Sequence, residues 1–363
     1  MRKTFTYKKF NNEKADNLVT AFNKLVEGSI AGQNATQEYK EANRLFNENL
    51  VEYCVEGSGV FYSSLEDVKN PMVYQNGIFT TRFTTILAQA ITPAVPAVAA
   101  TGYDAIFDIT QVGFGDNAKY TVDSNDLFIV NDIANGIARG AQQTTYNTEY
   151  TVTAKRKQIA TFVDWYHVAA GVHDWGKMGA KIGASFTAYI YAMVQKALAN
   201  VVANAASYGV GGYQANGFSD SNWLTMARNV KLANGNADVY AIGTNVALGK
   251  ILPDATNFRF GPESSIVTKG MLPEYKNVPM IEMGNALTPK SVNSTPTALI
   301  ADDFVLMVAM GSHKPIKVAI EGDNVVVQAD PLHTADHTFG FTVDMYLGAD
   351  VVVGSKFGYM KLQ

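Results

Sequence analysis

The sequence predicts an α+β chain: helices first, then a two-sided extended ribbon, then one very long helix, and finally an α/β module with returning strands. Three observations predict it. Residues 145–153 alternate, with Tyr146, Thr148, Tyr150 and Val152 on one side and Asn147, Glu149, Thr151 and Thr153 on the other, as a strand of period two requires. Residues 174–206 form an alanine-rich run on the order of 50 Å long at ~1.5 Å per residue. From residue 237 onward, apolar runs of strand length alternate with turn residues.

The helices come from the first 60 or so residues, where Leu18, Phe22, Leu25 and Val26, and then Leu45, Phe46, Leu50 and Val51, recur at helical spacing. A breaker cluster at 28–34 separates them. The region reads equally as a helical arm on a globular domain and as an arm reaching another subunit. Residues 92–102, with Pro93 and Pro96, read as an extended connector, because each proline removes a donor and fixes its own torsion.

Residues 104–155 form a long two-stranded protrusion, with short strands expected at 118–122 and 127–130 before the ribbon returns at Tyr146. Neither side of that ribbon is continuously hydrophobic, so it buries too little to stand alone and is expected to lie across another protein. The long helix carries a stripe of Met178, Ile182, Phe186, Ile190, Met193, Ala197 and Val201 and reads as uncapped at its N-terminus, while Lys177 and Lys181 mark a solvated side. Gly179 and Gly183 cost helix propensity, so packing must hold its first part. Strands are expected at 237–242, 278–281, 298–300 and 304–309, with a short helix at 244–252. A hairpin is expected about Glu321, Gly322, Asp323 and Asn324, and 339–362 should supply the last strands.

At 363 residues there is room for two or three domains. Charged residues are only 17%, against a typical share of about 25%, so much of the surface is expected to face protein. A net charge of -4 argues against a module that works by neutralising phosphates. The single cysteine, Cys54, excludes an intrachain disulfide and reads as a small buried residue. No signal-peptide pattern opens the sequence, and no apolar run is unbroken enough to span a membrane, so synthesis in a reducing cytoplasm is expected.

Chemistry finds little support. The glycines at 209–212 close a helix instead of opening one, which fits a flexible break better than a phosphate loop. His333 and His337 sit four apart beside Asp330 and Asp336, but Pro331 spoils the helix that would make them chelate a metal, and no third ligand is identified. His167, His173 and His313 are scattered, without a Ser or Cys in a nucleophile setting. Lys155, Arg156 and Lys157 form the densest basic run, which reads first as three solvated charges and otherwise as a group that pairs with acidic residues of a neighbour or touches nucleic acid. Trp165 and Tyr166 read as core. No catalytic residue, cofactor or metal is expected.

The order of parts resembles the major capsid proteins of tailed phages, the HK-ninety-seven fold. The residues that carry the resemblance are 151–153 leading to 159–163, the helix at 174–206, 239–245 with its short helix, 270–273 before 278–280, 301–304 before a strand, and 341–362. The resemblance implies an HK-ninety-seven-like capsid fold with an N-terminal arm and connector (1–103), an extended two-stranded loop (104–155) and a peripheral domain with its long spine helix (156–236). It also implies an axial domain (237–299) and returning strands (300–363).

By the same resemblance the loop would lie over an adjacent subunit, and a segment at 263–271 would point to the capsomer centre. Subunit-interface candidates are then Tyr146, Tyr150, Lys155, Arg156, Lys157, Glu263 and Lys269. The implied function is a major capsid protein, not an enzyme, that self-assembles into hexamers and pentamers of an icosahedral phage head. Its partners would be copies of itself, portal and scaffolding or decoration proteins, and double-stranded DNA enclosed without sequence-specific binding, with no membrane. Two rivals stand beside it: an encapsulin-like compartment shell, and a two-domain α/β enzyme with 237–281 as a ligand-binding half and the His333/His337 loop at its site.

Overall fold

The computed structural model describes residues 13–59, 63, 67, 73, 76–99, 107–123, 127–130, 132, 142–144, 147–205, 208, 210–252, 270–289, 291, 295–309, 314–328, 338–352 and 356–362. The fold is α+β. It begins with helices α1 (Glu13–Ile30), α2 (Gln37–Val55) and α3 (Gly77–Ala99), followed by strands β1 (Phe107–Val112), β2 (Ala118–Asp123), β3 (Asn147–Val152) and β4 (Lys155–Asp164). A short helix α4 (Trp165–Ala169) leads into the long helix α5 (Trp175–Ala203). Then come β5 (Gln214–Asn216), α6 (Asp220–Ala233), β6 (Val239–Gly243), α7 (Asn245–Gly249), β7 (Glu274–Tyr275) and β8 (Val278–Glu282). The chain closes with β9 (Phe304–Ala309), β10 (Ile316–Gln328), β11 (Thr338–Val351) and β12 (Gly358–Lys361). Two compact units result: Met1–Thr101, Arg156–Thr187 and Gly322–Tyr346 in one, and Gly102–Lys155, Ala188–Glu321 and Leu347–Gln363 in the other.

In the first unit α1 and α2 bury the stripes their spacing dictates: Leu18, Phe22, Leu25 and Val26 from α1, with Phe46, Leu50 and Val51 from α2. Leu45 is the exception and stays exposed. Thr36 caps α2 by accepting from Tyr39 N at 3.3 Å. These helices close around Trp175, which is fully buried at the start of α5 and meets Phe46 and Phe83 edge-on, at ring separations of 6.4 and 5.7 Å. The Trp175 indole N–H donates to Asn47 Oδ1 at 2.7 Å, so the polar atom of this large apolar residue is satisfied inside the core. Contrary to the uncapped look of its sequence, α5 is capped: Asp174 Oδ1 accepts from Lys177 N at 2.9 Å and from the Tyr39 hydroxyl at 2.7 Å. Burial and that carboxylate together push the Tyr39 phenol well above its usual range, so it stays a donor.

Three further expectations are corrected here. The proline run is helical, since α3 continues through Pro93 and Pro96 to Ala99. A proline's φ of about −65° is itself a helical value, and the preceding turns are anchored by buried Phe79, Phe83, Ile86, Leu87 and Ala90. The buried stripe of α5 runs through Ile182, Phe186, Ile190, Val194, Leu198 and Val201, so Met178, Met193 and Ala197 are only partly covered. Tyr166, expected in the core, is 61% exposed.

The second unit holds a six-stranded sheet in the order β5-β12-β9-β6-β8-β7. β9 lies between antiparallel β12 and β6, so every one of its residues is buried. α6 covers the sheet with Trp223, Met226 and Val230, and Trp223 donates to the Tyr275 carbonyl at 3.2 Å. β7 and β8 are joined by Lys276 and Asn277, both at positive φ (48° and 63°), as a two-residue hairpin turn requires. The strand expected at 298–300 is only an isolated bridge, Leu287 to Ala298.

A four-stranded sheet has the order β1-β10-β11-β4, with β1 parallel to β10 from the Phe107/Ile316 pair to the Val112/Glu321 pair. The expected hairpin about Glu321–Asn324 does not form. β10 runs through it unbroken, with Gly322 at φ 62°, so the glycine kinks a strand where the sequence suggested a turn. The His333/His337 segment lies outside the described residues.

Candidate assembly interface

The ribbon is built by antiparallel β2 and β3, in register from the Ala118/Val152 pair to the Asp123/Asn147 pair. Its root is held by its own subunit. Ala118 and Val152 are buried against Ala319 and Val352, and Val112, Tyr120, Val122 and Tyr150 pack around them. Beneath the root Lys317, 4% exposed, extends its ammonium to Asp108 Oδ2 at 3.0 Å and lies 5.2 Å from the Tyr120 ring centroid. Burial holds the Tyr120 phenol above its usual range, and its hydroxyl donates to Thr110 Oγ1 at 2.7 Å. Further out, Lys119 and Glu149 pair across the ribbon at 3.4 Å with both side chains solvated, a contact of small energetic weight.

Beyond the ladder the chemistry changes. The expected strand at 127–130 is absent, and Leu127, Phe128, Ile129 and Val130 stand exposed, Leu127 and Val130 by 92% and 95%. The Gln143 amide accepts from Ile129 N at 2.8 Å and donates to Ile129 O at 2.7 Å, standing in for a neighbouring strand. Four consecutive exposed apolar residues are costly in water, and such patches mark surfaces that meet another protein.

The expected interface residues are distributed unevenly. Tyr150 packs at the ribbon's root, Lys155 is exposed, and Lys157 is half-buried at the start of β4. Arg156 is half-solvated and reaches back to its own unit, donating to Asp344 Oδ2 from Nε at 3.0 Å and from Nη2 at 2.5 Å. Asp344 itself is 3% exposed, so this pairing supplies the counter-charge it needs. Tyr146, Glu263 and Lys269 lie outside the described residues. Sequence reasoning overlooked Lys317 and Asp108, which are 209 positions apart and carry no local signal. It also overlooked the exposure of 127–130, whose apolar run reads as a strand although the segment is not one. Among the described residues no group of three or more His, Cys, Asp or Glu could hold a metal ion, and no helix is long and apolar enough to cross a membrane.

Compared with known proteins, residues 79–361 match the family model described as "SPbeta prophage-derived putative capsid protein YonB". No curated protein matches. Solved structures similar to this chain include that of Microbacterium phage Oxtober96, at 14% identity and a TM-score of 0.46, covering 71% of this chain and 90% of that one. The mature capsid of bacteriophage PhiM1 is similar at 10% identity and 0.46, over 72% and 87% of the two chains. The capsid of cyanophage P-SCSP1u is similar at 13% identity and 0.46, over 73% and 88%.

Proposed function

The chain belongs to the YonB capsid-protein family, and on that premise we propose that it is a major capsid protein whose copies assemble as hexamers and pentamers into the icosahedral head of a phage, around double-stranded DNA. The observation that carries this reading is the ribbon. Its root is packed and charge-latched within the subunit while its outer part presents Leu127–Val130 to solvent. A shell lattice supplies the missing partner, and several contacts of about 1,200 to 2,000 Å² each add up to a durable assembly.

In this reading 104–155 is the extended loop over an adjacent subunit, the long helix is the spine of a peripheral domain, and 237–299 is the axial domain facing the capsomer centre. Lys155, Lys157, Glu263 and Lys269 are the polar groups through which neighbours meet. Portal and scaffolding or decoration proteins are the further partners, the protein is a component of the virion, and its role is structural. The acidic balance suits a wall that encloses DNA without gripping it.

The test is electron microscopy of the purified chain, with analysis of what the particles contain. Closed shells of uniform size, holding DNA when made during infection, are expected. A small soluble oligomer at every concentration would overturn the reading, and shells filled with one cargo protein would move it to a compartment shell, which the family match does not favour.

A further inference from the structure

We propose that the cleft between α1 and α2 is a docking site for residues 1–12 of the same chain. This goes beyond the capsid reading and does not rest on it, since both helices lie ahead of the family match, which begins at residue 79. The cleft has a volume of about 440 Å³, with Leu18, Ala21, Leu45 and Phe46 in its apolar lining and Lys14, Asn49 and Glu52 in its polar lining. That size falls within the ~300 to 1,000 Å³ typical of binding pockets. Leu45, at 45% exposure, is a large apolar residue of α2 that packing within the unit leaves open.

The occupant follows from charge and reach. Residues 13–56 carry eight carboxylates against four cations, while residues 1–12 carry Arg2, Lys3, Lys8 and Lys9 and no carboxylate. The same twelve residues bring Phe5, Tyr7 and Phe10, and in an extended segment Phe5 and Tyr7 share a face. The cleft's lining begins at Lys14, two positions from the end of the segment. Twelve residues extend up to ~40 Å, more than the ~27 Å length of α1, and Asn11-Asn12 is a pair that tolerates the turn needed to fold back. Tethering gives the chain's own segment an effective concentration on the order of millimolar, ahead of any copy arriving from solution.

The test is a disulfide trap in the full-length chain at nanomolar concentration. Cys54 is fully buried and does not compete. Phe5→Cys is combined with Leu45→Cys at the cleft, or with Ile30→Cys, which is exposed at the far end of α1. An intrachain 5–45 bond formed at least tenfold faster than 5–30, and slowed several-fold by Lys8→Glu with Lys9→Glu, is expected. Equal rates at the two sites, bonding only between chains, or indifference to the charge reversal would each overturn the proposal. A second measurement needs no cysteine: deleting residues 1–12 should speed amide exchange in α1 and α2 at the cleft, and unchanged exchange there also overturns it. Because the trap is read on dilute unassembled chain, its failure is separate from any failure to form shells.

Discussion

A Cβ placed on Gly179 of α5 would stand 2.7 Å from Val26 Cγ2 of α1, and one on Gly176 would run into the Leu25 carbonyl. The two glycines are therefore what lets α1 lie against the long helix, although each costs about 1 kcal/mol of helix propensity relative to alanine. Overpacking costs about 1 to 3 kcal/mol. Gly176→Ala should lower the denaturant midpoint more than Gly179→Ala, because a backbone carbonyl cannot turn aside as a valine methyl can. Equal or raised midpoints for both would contradict this packing.

His173 packs edge-on to Trp175 at 4.4 Å, and burial lowers its pKa to about 4, with the nearby Asp174 charge opposing that shift. The folded value lies below the ordinary 6.5, so between those values the unfolded chain binds the extra proton. The stabilising effect of a neutral His173 is complete above pH 6.5 and is lost as the pH falls towards 4, by at most about 1.4 kcal/mol per unit. Chemical denaturation across that window should give a visibly flatter pH profile for His173→Asn than for the parent chain. Parallel profiles would remove His173 as the cause.

Lys317 and Asp108 differ in exposure, 5% against 50% for the side chains. Removing the partly solvated acid leaves a buried ammonium unpaired, whereas removing the lysine leaves a carboxylate that water can reach. Asp108→Ala should therefore destabilise by about 1 to 3 kcal/mol, and Lys317→Met, close in volume, by less than about 1 kcal/mol. Urea titration monitored by tyrosine fluorescence checks the order, and a larger loss for Lys317→Met would refute it.

Changing Leu127, Phe128, Ile129 and Val130 together to serine should leave the melting temperature within a degree or two, since these side chains are exposed in the single chain. Removing residues 124–144 with a short Asn-Gly turn in their place should behave likewise, because the ladder from Ala118 to Asp123 survives. Both variants should sediment as small species. Normal shells from either would show that the loop's outer part does not lock the lattice.

The long helix and the ribbon were legible in the sequence because each advertises its own period over many residues. The strand at 304–309 was legible too, since full burial on both faces leaves an unbroken apolar run. Local patterns misled where tertiary contacts decide. Gly322 in a turn-like tetrapeptide lies inside a strand because β10 continues past the end of its pairing with β1 as a neighbour of β11, and Pro93 and Pro96 sit in a helix whose earlier turns are already anchored. Among the interface candidates, Arg156 read as a solvated charge or as one reaching a neighbour, because the carboxylate it pairs with in its own chain is 188 positions away.

By itself the sequence determined the class of fold, the ribbon and the long helix, the buried stripes of the first two helices and the low share of charge, since these follow from local period and composition. Only the tertiary structure decided which apolar residues stay uncovered, which charges are paired and why glycines interrupt a helix. Those are relations between segments up to about two hundred residues apart, as between Asp108 and Lys317, and no local pattern encodes a distance across the fold.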